Sequence, residues 1–202
     1  MSKNSVQFFG LPGSGKTSTL KSLVKNYPDK YILVPSFSRL QRFKLFALFI
    51  LKFPKVSLTF LSFVFKNDKR LWKYVLHLVT NSFAVHFYVL LQKSDEKTFL
   101  IDEGIFQRIL SVLPKRLKVT EAQTLVQILT QVSSRVIMTS GGNFSRFTLE
   151  SDRMTSPRNK LGEQYFKDWS EDLRFNFESI LRALGDRKIE KWESLEELNK
   201  KI

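Results

Sequence analysis

A glycine-rich stretch near the N-terminus, Gly10 to Thr17, constrains the fold of this chain more than any other feature. It has the pattern G-x-x-x-x-G-K-[ST] and follows the apolar run Ser5–Phe9 directly. The residues after it have apolar side chains at helical spacing. Glycine allows the backbone to turn where a residue with a Cβ would clash. The sequence therefore predicts a buried strand, a tight loop and a helix in succession.

The same stretch has the chemistry of a phosphate-binding loop. Backbone N–H groups in such a loop turn inward around an anion, and the start of the next helix adds partial positive charge. We expect Lys16 to reach the β- and γ-phosphates of a nucleoside triphosphate and the Thr17 hydroxyl to bind Mg²⁺. The predicted nucleotide-binding residues are Gly10, Leu11, Pro12, Gly13, Ser14, Gly15, Lys16, Thr17 and Ser18.

A later apolar run, Thr98–Ile101, ends in the acids Asp102 and Glu103. A buried strand that delivers an acid at its carboxyl end can place that acid beside a phosphate-binding loop. Asp102 is then predicted to bind the magnesium ion, directly or through water. The alternative role for Asp102 is to cap the helix that follows.

With these two motifs the sequence resembles the P-loop NTPase superfamily, and within it small nucleoside and nucleotide kinases of the thymidylate-kinase-like type. The resemblance implies an α/β three-layer sandwich with a mostly parallel five-stranded sheet, and ATP or GTP with Mg²⁺ as cofactors. We expect a single domain over residues 1–202, with a helical insertion at about 36–92 and a lid at 140–162. In these kinases the acceptor binds beyond the second and third strands, and the lid carries arginines.

Four residues of this chain fall where the resemblance places the acceptor. Arg39 and Arg42 follow the second predicted strand and are expected to clamp an anionic acceptor. Gln107 and Arg108 lie on the helix after the acidic pair and are expected to face the same cleft. For each arginine the alternative is an ordinary surface charge.

The predicted lid contains Arg146, Arg153 and Arg158. Arginines in a lid neutralise the charge that develops on the transferred phosphoryl group. The residues predicted to act in catalysis are Lys16, Asp102, Glu103, Arg153 and Arg158.

Two functions fit these motifs. The first is phosphotransfer to a small, anionic acceptor such as a nucleoside, nucleotide or phosphorylated metabolite. The second is NTP hydrolysis as a switch or regulator, with Glu103 orienting the attacking water and Thr139 or Ser140 sensing the γ-phosphate. The order of the strands separates them. Direct pairing of the strands that end at Gly10 and Asp102 favours a kinase, and an interposed strand favours the hydrolase.

The charge of the chain is large, +14, and unevenly placed. Residues 1–93 hold fifteen Lys and Arg but only two acids. This asymmetry predicts a contact between the basic segment 36–93 and an anionic membrane surface or nucleic acid. The alternatives are a basic but otherwise ordinary soluble protein and an apolar helical cap on the sheet.

The remaining sequence signals concern location and metal chemistry. No secretory signal or membrane-spanning helix is predicted, so we expect a cytoplasmic protein, peripheral to the membrane if the basic segment binds lipid. The chain has no cysteine, which excludes disulfides and thiolate metal sites. His77 and His86 are nine residues apart, which is no helical metal-ligand spacing, and both are interpreted as packing or surface residues.

Overall fold

The computed structural model of this chain describes residues 5–10, 15–92, 97–132, 135–138, 157–185, 189–190 and 195–202. Eight α-helices are found among these residues: α1 Lys16–Asn26, α2 Arg39–Lys52, α3 Pro54–Lys66, α4 Trp72–Leu91, α5 Ile105–Val112, α6 Val119–Leu129, α7 Glu163–Leu184 and α8 Leu195–Lys201. Short 3₁₀ helices cover Lys69–Leu71 and Pro157–Leu161. The strands are β1 Ser5–Phe9, β2 Tyr31–Leu33, β3 Thr98–Ile101, β4 Arg135–Met138 and β5 Ile189–Glu190.

The strands form one parallel sheet in the order β2-β3-β1-β4-β5. β1 and β3 pair directly, with Val6 opposite Leu100 and Gln7 opposite Ile101. β4 lies on the other side of β1. The chain therefore places the carboxyl ends of β1 and β3 side by side, so that Gly10 and Asp102 come to the same edge of the sheet.

Alternation along β1 sends its side chains to two different layers of helices. Val6 and Phe8 pack with Leu20 and Leu23 of α1, and with Leu198 of α8. Phe9 follows Phe8 directly in the strand and therefore points to the opposite face. There it packs against Phe177 of α7, with ring centroids 4.9 Å apart. The fully buried pattern of β1 reflects this cover on both faces.

The largest hydrophobic core lies between helices. Among the side chains that the structure describes, Phe9 is its one member from a strand, and the others come from helices α2 to α7 and the turns between them. At its centre the rings of Phe49 and Phe83 stack with centroids 4.2 Å apart, and Phe60 meets Phe83 edge to face. The apolar segment from α2 to α4 thus builds its own helix–helix core.

The predicted fold class, a three-layer sandwich organised around a five-stranded sheet, is wrong for this chain. The described residues are predominantly helical. The sheet is built from strands of only two to five residues. The physical reason lies in the segment predicted as an insertion, because α2, α3 and α4 bury their large side chains mainly against other helices.

Membrane-spanning potential is confined to the same segment of the described chain. One stretch, Lys69–Leu91, is long and apolar enough by length and composition, and 50% of its apolar window is buried inside the protein. Arg39–Lys52 and Pro54–Lys66 meet the same criteria only when taken together, and they are bent by 116°. Buried side chains of α4, among them Val75, Val79 and Phe83, make it a core helix of this fold.

Candidate functional site

The described ends of the glycine-rich loop have the geometry of a tight turn into a helix. Gly15 has a φ of 79°, a left-handed conformation that favours glycine, and α1 begins at the next residue. The Lys16 ammonium group donates a hydrogen bond to the carbonyl oxygen of Gly10, with Nζ and O 2.9 Å apart. Lys16 is thus folded back over the start of the loop. The predicted phosphate-binding residues Leu11, Pro12, Gly13 and Ser14 lie outside the described residues.

Thr17 and Asp102 are brought together at the edge of the sheet. The Thr17 hydroxyl donates to Oδ2 of Asp102 over 2.7 Å. The second carboxylate oxygen, Oδ1, is buried and has no hydrogen-bond partner within the described part of the chain. A hydroxyl and an acid with one uncommitted oxygen are the oxygen ligands that Mg²⁺ prefers. These residues fit a magnesium ion.

Ser18, the last residue of the predicted nucleotide site, is exposed. Its hydroxyl donates to the carbonyl oxygen of Gly15 over 2.8 Å. This bond lies within the first turn of α1 and stabilises the turn rather than reaching across the site.

Beneath the loop, buried polar side chains join β1 to the start of α5. Gln107 is 5% exposed, and its Oε1 accepts a hydrogen bond from the backbone N–H of Gly10 over 3.1 Å. Oε1 of Gln7 accepts from the N–H of Phe106 over 3.3 Å. A Cβ at Gly104 would lie 2.2 Å from that same Gln7 oxygen, so this position requires glycine. The loop and the acidic turn are therefore held to one buried scaffold.

His86 completes this scaffold from α4. Its Nε2 accepts from the N–H of Ile105 over 3.4 Å, while Nδ1 lies 3.0 Å from the carbonyl oxygen of Ser82 and donates to it. Complete burial lowers the pKa of His86 to about 4. The neutral ring thus serves as a structural link between α4 and the first turn of α5.

A cleft of about 310 Å³ opens beside Thr17 and Asp102. The strand ends form its floor, with Leu100 and Ile101 of β3 and Leu33 and Val34 at the end of β2. Its polar wall residues are Lys21, Ser36, Arg42, Asn81 and Glu103. A small molecule bound here would lie next to the glycine-rich loop.

Arg42 and Arg108 give one side of this region a positive potential, and His77 lies beside them. Arg42 donates to His77 Nδ1 over 3.3 Å and to the carbonyl oxygen of Phe37 over 3.3 Å. Burial lowers the pKa of His77, and the charges of Arg42 and Arg108 lower it further. Arg108 forms an ion pair with Glu103, and burial lowers its pKa. An anionic ligand bound here would be attracted to the guanidinium groups of Arg42 and Arg108. It would also reduce the repulsion between their charges.

The structure separates the four predicted acceptor residues. Arg42 lines the cleft, and Arg108 contacts Glu103 at its edge. Arg39 is exposed at the first residue of α2 and does not line the cleft. Gln107 faces the loop backbone at Gly10, so its place is beneath the loop and away from the cleft.

The three predicted lid arginines have different outcomes. Arg146 and Arg153 lie outside the described residues. Arg158 is 1% exposed and lies over the ring of Trp169, 4.4 Å from its centroid, and near that of Tyr74 at 5.5 Å. It donates to the carbonyl oxygen of Ser111 over 2.5 Å, and burial lowers its pKa. Arg158 is therefore placed as a packing residue.

Among the residues at this site that the sequence did not indicate are His77 and Asn81. Both lie on α4, one turn apart, and meet the α2 side chain Arg42 or the cleft only because the two helices pack together. No local spacing connects positions 42 and 77. The sequence signal for these residues is limited to their being polar on a strongly apolar helix.

No protein-family model, curated protein or solved structure matches this chain. The function is therefore argued from the geometry and chemistry of the site.

Proposed function

We propose that this chain is a phosphotransferase that uses ATP and Mg²⁺ and acts on a small anionic acceptor. The observation that carries the proposal is the 2.7 Å contact between Thr17 and Asp102 at the wall of a cleft that also contains Arg42. It joins a triphosphate site to a cavity of metabolite size. GTP is the alternative donor, because nothing in the described residues selects a base.

The reaction transfers the γ-phosphoryl group to the acceptor. An oxygen of the acceptor forms a bond to the γ-phosphorus, the bond from that phosphorus to the β,γ-bridging oxygen breaks, and the nucleoside diphosphate leaves. An acceptor hydroxyl loses its proton to Glu103, whose carboxylate lines the cleft. An acceptor phosphate is already ionised and needs no base.

Each described residue has a role that its position supports. Lys16 binds the β- and γ-phosphates, and Thr17 and Asp102 hold the magnesium ion. That ion would neutralise charge on the phosphate oxygens. Arg42 and Arg108 bind the anionic acceptor and orient it. Its reacting oxygen is thereby held in line with the leaving group.

Hydrolysis of NTP as a switch is the second candidate, favoured by the adjacent acids Asp102 and Glu103. One observation speaks for phosphotransfer instead. β1 and β3 pair directly, with no strand between the loop and the acidic turn.

The deciding experiment is a screen for acceptor-dependent release of ADP. Nucleosides, nucleotides and phosphorylated sugars are supplied with Mg²⁺ and ATP, and Lys16→Ala is the inactive control. We expect at least one anionic acceptor to raise ADP release well above the rate without acceptor. If purified protein binds neither ATP nor GTP at millimolar concentration with Mg²⁺, the proposal is wrong.

Glu103→Gln separates the two candidates. A hydrolase that uses Glu103 to orient water loses its acceptor-independent hydrolysis in this variant. If hydrolysis without an acceptor survives unchanged, Glu103 does not have that role. A phosphotransferase acting on a hydroxyl acceptor loses transfer, whereas one acting on a phosphate acceptor retains it.

A further inference from the structure

The segment from Lys30 to Asn67 contains seven Lys and Arg and no acid. It includes all of α2 and α3. Asp29 and Asp68 are the acids that flank it, and Asp68 is paired with Arg70. No carboxylate on either helix offsets their positive charge.

These helices also expose large apolar side chains. Leu40, Phe43 and Leu51 of α2 are 80%, 67% and 79% exposed, and Leu58 and Phe65 of α3 are 67% and 63% exposed. Exposing so large a fraction of an apolar side chain to water costs free energy. Other side chains of the same helices, such as Phe49 and Phe60, are fully buried in the helix–helix core, so the exposed ones lie on the outer side of each helix.

The spacing places lysines among the exposed apolar residues. On α2 the positions of Leu40, Lys44 and Leu51 follow one another at intervals of four and seven, which keeps them on one side of a helix. On α3, Lys55, Leu58 and Phe65 do the same at intervals of three and seven. We call the exposed faces of α2 and α3 together the basic apolar surface.

We propose that the basic apolar surface docks on an anionic lipid bilayer. Its lysines would contact the phosphate groups of the lipid, and its leucines and phenylalanines would enter the boundary between headgroups and acyl chains. Single-stranded nucleic acid fits this surface less well. Bases stack on aromatic rings, whereas three of the five large exposed side chains are leucines.

The docking is interfacial. α2 packs extensively on α4, and α3 packs on α4 and α5, so their inner faces are covered by protein. The bend of 116° between the two helices also separates them into pieces of fourteen and thirteen residues. Each piece is too short to span a bilayer.

The test is co-flotation of the 202-residue chain with vesicles, with and without nucleotide. Neutral phosphatidylcholine vesicles are compared with vesicles containing about one-third phosphatidylserine, at low and high salt. We expect binding to the anionic vesicles at low salt, and loss of binding at high salt or on neutral vesicles. Absence of co-flotation at low salt overturns the proposal.

Two variants and their matched controls locate the contact. Leu51→Glu should reduce the partition coefficient at least tenfold, whereas Leu91→Glu, at a 54% exposed leucine at the end of α4, should not. Changing Lys44, Lys52 and Lys55 to Gln should cost about fivefold per lysine. The same change at the exposed lysines Lys25, Lys115 and Lys160 should have little effect. Equal losses in test and control variants overturn the proposal.

Two further readouts address the other occupants of this surface. If Leu51→Glu and the lysine variant weaken binding of a single-stranded oligonucleotide while vesicle binding is unchanged, the surface binds nucleic acid and the proposal is wrong. If the protein resists extraction from the vesicles by alkaline carbonate, it is integral and interfacial docking is wrong. Circular dichroism of every variant establishes that the fold is retained.

Discussion

The hydroxyl of Thr17 donates to Oδ2 of Asp102 over 2.7 Å, across 85 positions of sequence. The contact exists because Thr17 is the second residue of α1, just after the glycine loop, while Asp102 follows β3, the neighbour of β1. The other oxygen of Asp102 is buried without a partner among the described residues. These are the two groups that would hold the magnesium ion of the proposed reaction.

Asp102→Asn and Thr17→Ala should each weaken binding of Mg·ATP by about tenfold or more, a free-energy change of about 1.4 kcal/mol. The expected cause is loss of an oxygen ligand to the ion. Isothermal titration calorimetry with Mg²⁺ and with EDTA measures the effect. In EDTA the variants and the original chain should bind ATP alike.

The double variant tests whether the two residues act on one ion. It should bind Mg·ATP little more weakly than either single variant, because groups that share a ligand are not additive. Lys25→Gln, on the last turn of the same helix, is the control and should bind normally. Additive losses would indicate separate roles for Thr17 and Asp102.

Arg42→Ala should raise the KM for the anionic acceptor by about tenfold or more and leave ATP affinity nearly unchanged. Arg42 lines the cleft and is removed from the glycine loop in sequence. A charged hydrogen bond to an anion typically contributes about 1.5–3 kcal/mol. Steady-state kinetics at saturating ATP measure this change. Lys44→Ala on the same helix controls for loss of positive charge, and an equal effect there would remove the argument for Arg42.

Local pattern predicted much of this structure. β1 and β3 were expected at the positions where they lie, because a short apolar run bounded by turn residues is typical of a buried strand. The glycine loop and the acid after β3 were expected to meet, because parallel strands bring their carboxyl ends to one edge. Both motifs are short and have a chemical reason for each residue.

Long-range packing is what the sequence did not reveal. The predicted fold class was wrong because the residues Phe49, Phe60 and Phe83 indicate burial but not the element against which they pack. In the structure they pack against other helices. Arg42 and His77 meet only through the packing of α2 on α4. Arg158 was assigned to catalysis from its place after β4, yet aromatic rings bury it.

Gln107→Met should lower both stability and nucleotide affinity. The substitution keeps the size of the side chain but removes the acceptor for the Gly10 N–H, and a buried donor without a partner costs about 1–3 kcal/mol. A looser loop should also bind ATP at least fivefold more weakly. Urea unfolding and calorimetry measure the two effects.

Asn176→Leu is the matched control for that change. Its side chain is 1% exposed and its Oδ1 accepts from the Leu117 N–H over 2.8 Å, away from the loop. It should lose stability to a similar extent and keep its ATP affinity. If both variants lose affinity equally, the effect of Gln107 is one of general stability.

Arg158→Met should reduce the free energy of unfolding by about 2 kcal/mol and leave kcat within about threefold. The expected loss combines the cation–π contacts with Trp169 and Tyr74 and the hydrogen bond to Ser111. Arg158→Lys should recover little, because an ammonium group does not stack as a guanidinium does. A fall of about a thousandfold in kcat at unchanged stability would instead place Arg158 at the reacting phosphate.

His86 should make the protein sensitive to acid. Its pKa is about 4 in the folded chain, against 6.5 for an ordinary histidine, so above pH 6.5 both folded and unfolded states carry the neutral ring. As the pH falls below 6.5, His86 is protonated in the unfolded state but stays neutral in the folded state. The free energy of unfolding therefore decreases progressively until about pH 4. The difference in pKa corresponds to about 3 kcal/mol.

His86→Asn, whose amide can still accept from Ile105 N–H, should lose this part of the pH dependence. The comparison is made by urea unfolding of both proteins at pH 7 and pH 4.5. A parallel decline in the two proteins would show that other groups cause the acid sensitivity.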